Sequence, residues 1–194
     1  MRYNKALITI LVALALSGIV SCAKPPSAEL EAASASLSKA ETDADTRLYA
    51  PDSLARVRDI VKRMQAEVDA KRYPAAKALA LEVVSASEEA MREGAAGKAK
   101  AKTEASTALD AAKTALLEAR TAFDAAIKLR RLDLDVPLAD RAIEDAASSI
   151  ISAESDFAAS GFRESLTKAK ASRAALATVQ QRIADAIRAA SAKK

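Results

Sequence analysis

The chain has 194 residues, with 30 basic and 26 acidic side chains, only 4 glycines and 5 prolines, and no histidine. Alanine inflates the 51% hydrophobic share, and only 3% of residues are aromatic, so little large apolar surface is available to bury. This composition excludes extended β-structure, imidazole acid–base chemistry and His-ligated metal, and it favours long helices.

Met1 to Lys5 form a basic head, and Ala6 to Leu16 form an apolar run of about eleven residues. Such a run is too short to span a bilayer, which needs about 20 apolar residues, and it reads as a secretory signal over residues 1–21. The run closes on Ile19-Val20-Ser21-Cys22, which resembles the lipobox of bacterial lipoproteins: a branched aliphatic stands three before the cysteine and a small residue just before it. The resemblance implies cleavage before Cys22, a diacylglycerol on its sulfur, and a membrane partner held through that lipid. The chemistry needs a thiol because a thiolate is far more accessible than an alkoxide. Ala23 follows where an aspartate would favour inner-membrane retention, so the resemblance implies sorting to the outer membrane, facing the periplasm. Cys22 is the single cysteine, so the mature body carries no disulfide. Residues 22–26 are the acylated cysteine and a stiff Lys24-Pro25-Pro26 spacer.

Ser27 is the expected cap of a first helix, with Glu29 and Glu31 in its first turn and Leu30, Ala33, Leu37 and Ala40 on one face. Residues 42–46 read as a polar turn. Pro51 opens a second helix with the stripe Leu54, Val57, Val61, Met64 and Val68. Lys71-Arg72-Tyr73 is a turn, and Pro74 opens a third helix with Leu79, Val83, Ala86 and Ala90. The second half repeats the plan. Leu109, Ala112, Leu116, Ala119, Phe123 and Ala126 form a stripe, and Pro137 starts a helix carrying Ile143, Ala146, Ile150, Ala153 and Phe157. Gly161 is placed to take the left-handed position of the Ser160-Gly161-Phe162 turn. The last helix carries Leu166, Ala169, Leu176, Val179, Ile183 and Ala186, with Arg173 falling in that stripe.

RLYAP (residues 47–51) resembles RLDLDVP (131–137), and the Tyr73 turn resembles the Phe162 turn, so the chain reads as a weak internal repeat. No single helix buries its stripe alone, which predicts two antiparallel three-helix units, at 27–93 and 103–190, with a frayed tail at 191–194. The connector 94–102 contains Gly94 and Gly97 but no proline. One continuous or kinked helix of about 55 residues is therefore expected through it, the alternative being a hinge where Gly94 and Gly97 break the helix. The fold class is all-α: an elongated antiparallel helical bundle, two three-helix units sharing that long central helix.

No constellation reads as catalytic. Glu88 and Glu89 are adjacent on a helix and do not converge, and Asp133 and Asp135 lie in a connection where capping is the commoner role. No cofactor, metal or nucleic-acid site is expected. Lys98 and Lys102 share a helix face while Lys100 points elsewhere, so the three form no concentrated basic patch and read as a solvated surface. Tyr73 and Phe162 are candidates for a peptide groove, because KRYPAAKALA (71–80) resembles the inter-helix turn of tetratricopeptide repeats. The repeat period of that family is absent, and packing of each ring under its turn is the favoured role. Arg173 is a candidate partner contact, with snorkelling as the favoured reading. The terminal lysine resembles the peptidoglycan-linked end of murein lipoprotein, an uninterrupted coiled coil; the prolines and turns here favour a simple polar end.

Taken together, PPSAELEAASASL, RLYAPDSLARV and KRYPAAKALA, between Pro25 and Ala80, resemble an uncharacterised helical domain family of bacterial outer-membrane lipoproteins, some members of which occur beside peptidoglycan-binding domains. The expected function is that of a non-enzymatic, lipid-anchored periplasmic spacer, scaffold or adaptor, with an envelope protein or peptidoglycan as partner. A ligand- or peptide-binding carrier and a surface-exposed interaction lipoprotein are the alternatives, and the oligomeric state is left open.

Overall fold

The computed structural model describes residues 24–129 and 132–192. The signal segment, Cys22 and the last two lysines lie outside the described residues. Among the described residues all regular structure is helical, in six segments: α1 (Ser27–Thr42), α2 (Ala44–Tyr49), α3 (Pro51–Asp69), α4 (Tyr73–Ala126), α5 (Val136–Ala158) and α6 (Phe162–Ala192). The prolines sit where their fixed φ helps and their missing N–H costs nothing, in the first turn of α3 and of α5.

Three local details differ from the sequence reading. Pro26, not Ser27, is the residue before the first helical turn, and no side chain caps α1. The polar stretch at 42–46 is not a turn: Thr42 ends α1 and only Asp43 stands outside a helix. Its carboxylate accepts from Thr46 N at 2.7 Å and from Thr46 Oγ1 at 2.6 Å, which caps α2 and satisfies a fully buried hydroxyl. Gly161 does not adopt a left-handed backbone; Ser160 does, at φ 65°. The C-terminal turn of α5 closes with Ser160 N on Phe157 O and Gly161 N on Asp156 O, the two bonds of a Schellman ending. That pattern requires the left-handed residue one position earlier than the glycine.

α4 runs unbroken for 54 residues through Gly94 and Gly97. Each glycine costs about 1 kcal/mol in a helix interior, and the surrounding run of alanine, lysine and glutamate offsets this. Contacts divide the chain into two units between Arg92 and Glu93, within α4.

The first unit packs α1, α2, α3 and the start of α4. Its core is Ala33, Val57, Met64, Ala80, Val83 and Ala90, with Leu30, Leu37, Ile60 and Leu79 partly buried against it. The second unit packs the remainder of α4 with α5 and α6 around Leu109, Phe123, Ile143, Ile150, Leu176 and Ile183, with alanines between. Alanine at contact points lets helices approach closely, but each contributes little buried area, so the few large side chains carry most of the apolar burial.

The repeat is visible in the burial pattern. On α4 the buried positions after Tyr73 are Ala76, Ala80, Val83, Ser87 and Ala90; on α6, after Phe162, they are Ser165, Ala169, Ser172, Leu176 and Val179. Both sets follow the aromatic by the same steps. The stripe of α6 therefore passes through Ser172, not Arg173, which is exposed.

Candidate functional site

Tyr73 is the first residue of α4 and is half-buried. With Lys24, Pro26, Glu29, Pro74 and Lys77 it lines a depression of about 330 Å³ at the end of the first unit where α1 begins. Lys77 Nζ lies 2.5 Å from Glu29 Oε1 across it, and this hydrogen bond holds the Glu29 carboxyl below its usual range. On the same turn Arg72 pairs with Glu67, which is held low for the same reason.

Phe162 occupies the matching place in the second unit but is buried, with its ring edge-on to Phe157 at a centroid distance of 5.2 Å and an interplanar angle of 63°. That geometry suits the positive edge of one ring to the negative face of the other, and burial keeps the Phe162 ring out of reach of a ligand.

Arg173 lies on the exposed flank of α6, in a groove shared with α4. Two stretches of that groove, of about 410 and 330 Å³, meet at Ala111 and Arg173. Short side chains (Thr107, Ala108, Ala111 and Thr114 from α4, Ala177 from α6) line the groove together with longer ones, Glu104 and Glu118 from α4 and Leu166, Lys170 and Gln180 from α6. The hydroxyls of Thr103, Thr107 and Thr114 donate to carbonyls four residues back, so they are already engaged by their own helix. Further along, Gln180 Nε2 donates to Ala115 O at 3.3 Å, tying α6 to α4. Tyr73, Phe162 and Arg173 thus do not converge: Tyr73 belongs to the first unit, and Phe162 and Arg173 stand three turns apart on α6.

The acidic pairs behave as their positions suggest. Asp135 Oδ1 accepts from Leu138 N at 3.1 Å and caps α5. It also lines, with Asp133, Arg182 and Asp185, an open depression of about 420 Å³ in the second unit. Glu89 pairs with Arg92 one turn on. Among the described residues no three metal-ligating side chains come together, and no helix is long and apolar enough to cross a membrane.

Two exposed side chains escaped the sequence reading. Leu117 and Ile151 are 68% and 65% exposed, the two largest values among the exposed aliphatic side chains of the described residues. The available signal was the doublets Leu116-Leu117 and Ile150-Ile151. Neighbours on a helix point about 100° apart, so the core stripe can take only one of each pair. Leu116 packs against the core and Ile150 lies in it, which leaves the second member of each doublet facing outward. Compared with protein-family models, curated proteins and solved structures, the chain matches none.

Proposed function

We propose that the protein is a lipid-anchored helical lipoprotein of the outer membrane, facing the periplasm, and that it acts as a non-enzymatic spacer or adaptor at the cell envelope. The observation that carries this reading is the register of basic head, short apolar run and Ile19-Val20-Ser21-Cys22, followed at once by a two-proline spacer. The fold is consistent with it. α1 begins at Ser27, five residues beyond Cys22, so a thioether at that sulfur holds the first unit within about 17 Å of the bilayer surface. Two or three acyl chains, at about 0.8 kcal/mol per buried methylene, make such attachment permanent on the timescale of a cell. The described body is built of helices tied by ion pairs, as suits a protein whose work is to hold a position or a partner.

The test is metabolic labelling with a fatty acid. The wild-type chain takes up label and fractionates with the outer membrane, whereas Cys22→Ser takes up none and is released or retained unprocessed. Equal labelling of both chains, or none of either, ends this reading.

A further inference from the structure

The outer face shared by α4 and α5 carries a pattern that the fold itself does not use. Lys113 on α4 pairs with Glu154 on α5, and Arg120 pairs with Glu144 at 2.7 Å. The higher number on one helix meets the lower on the other, so the helices run antiparallel here. Lys113, Leu117 and Arg120 are spaced by four and three residues; Glu144, Ile151 and Glu154 are spaced by seven and three. Each set therefore lies along one side of its helix. Leu117 and Ile151 sit between the two bridges, exposed, and neither belongs to the core of the unit.

Within this stretch both cations stand on the α4 edge and both anions on the α5 edge, at matching heights. Such a face is complementary to itself. When a second copy is laid against it about a two-fold axis parallel to the helices, α4 of one copy comes opposite α5 of the other. Lys113 then meets Glu154 of the second copy, Arg120 meets Glu144, and Leu117 covers Ile151. A two-fold axis running across the helices would instead put Lys113 against Arg120, like against like, so charge selects the first arrangement. Asp124 and Asp140, one turn beyond Arg120 and Glu144, are exposed and of one sign, and they bound the complementary stretch.

We infer that this face is a homodimer interface: two copies of the chain pair through Leu117 and Ile151, with the flanking ion pairs shared across the two-fold axis. Two large side chains per copy make a small contact, below the area of a standard stable interface. The pairing is accordingly weak and depends on high local concentration. All the residues involved lie in the second unit, so the inference does not depend on the lipid at Cys22.

The experiment mixes isotopically light and heavy full-length chains and treats them with a zero-length carboxyl-to-amine crosslinker. Same-isotope Lys113–Glu154 linkages include those formed within one chain and serve as the positive control for the reaction. Mixed-isotope Lys113–Glu154 linkages are the expected result, and Leu117→Asp lowers their yield about tenfold or more. Helix content is unchanged in that variant because the side chain is exposed. Reversing the cations alone (Lys113→Glu with Arg120→Glu) or the anions alone (Glu144→Lys with Glu154→Lys) removes a group the crosslinker needs. Each reversed chain is therefore read by sedimentation at high concentration, where it runs as a monomer while the wild-type chain self-associates. Mixing the two reversed chains restores association. Same-isotope linkages without mixed ones, a mixed yield indifferent to Leu117→Asp, or singly reversed chains that self-associate as the wild type does, overturn the proposal.

Discussion

Lys71 and Ser160 occupy equivalent places in the two units, and each holds a left-handed backbone, at φ 57° and 65°, two residues before an aromatic that opens the next helix. The bonds that require it are the same in both. Arg72 N donates to Glu67 O and Lys71 N to Val68 O, as Gly161 N donates to Asp156 O and Ser160 N to Phe157 O. A side chain at such a position pays a steric penalty that glycine does not. Lys71→Gly and Ser160→Gly should each stabilise the protein by about 0.5–1 kcal/mol, read from chemical denaturation.

Gly161, by contrast, needs no left-handed freedom. A Cβ there would come 3.3 Å from Asp156 O, a tight approach to backbone. Gly161→Ala is expected to be neutral to mildly destabilising, within about 1 kcal/mol, and so to differ in sign from Ser160→Gly next to it. Thermal melts of the two single variants check this directly.

Two buried serines are also distinguishable from a third. Ser87 Oγ and Ser165 Oγ are enclosed with no hydrogen-bond partner, whereas Ser172 Oγ donates to Lys168 O at 2.9 Å. Removing an unpaired buried hydroxyl relieves a desolvation cost of about 1–3 kcal/mol, so Ser87→Ala and Ser165→Ala should leave stability unchanged or raise it. Ile143→Ala, in the same core as Ser172, should cost about 2–5 kcal/mol. A loss on Ser87→Ala comparable to that of Ile143→Ala would contradict this view of the core.

The Asp43 cap joins local and tertiary structure, because its carboxylate serves both the backbone of α2 and the buried Thr46 hydroxyl. Asp43→Ala should cost about 1–2 kcal/mol, and Asp43→Asn less, since an amide oxygen still accepts. Equilibrium unfolding of both variants measures the difference.

Stability should be flat across neutral pH, since the chain contains no histidine. Glu29 and Glu67 are held below their ordinary range by hydrogen bonds from Lys77 and Arg72. A depressed carboxyl contributes stability above its unfolded value and loses it as pH falls through the folded one, so the decline belongs below about pH 4.5. Lys113 is held above its ordinary range by Glu154, so its contribution is complete below about pH 10 and fades above that. Both effects are modest because Lys113 is exposed and Glu29 and Glu67 are only partly buried. A pH series of melting temperatures tests the shape.

Much of this was open to inspection in the chain itself. The helical class, the prolines in first turns and the stripes through Val57, Leu109, Ile143 and Ile183 follow from composition and from a 3.6-residue period. Those are local properties, so sequence by itself determined them. Tertiary structure decided the rest. Arg173 fits a stripe as well as Ser172 does when positions are merely counted, and only the approach of α4 and α5 puts the serine inside. Glycine is the better left-handed residue in the abstract, yet the register of the closing bonds assigns that place to Ser160. Of each doublet, Leu116-Leu117 and Ile150-Ile151, packing against the third helix chose which member to bury. The two rows of opposite charge became a single face only when α4 and α5 came side by side. A period identifies a helix face to within about one residue, or 100° of rotation, and the neighbouring helix fixes what remains.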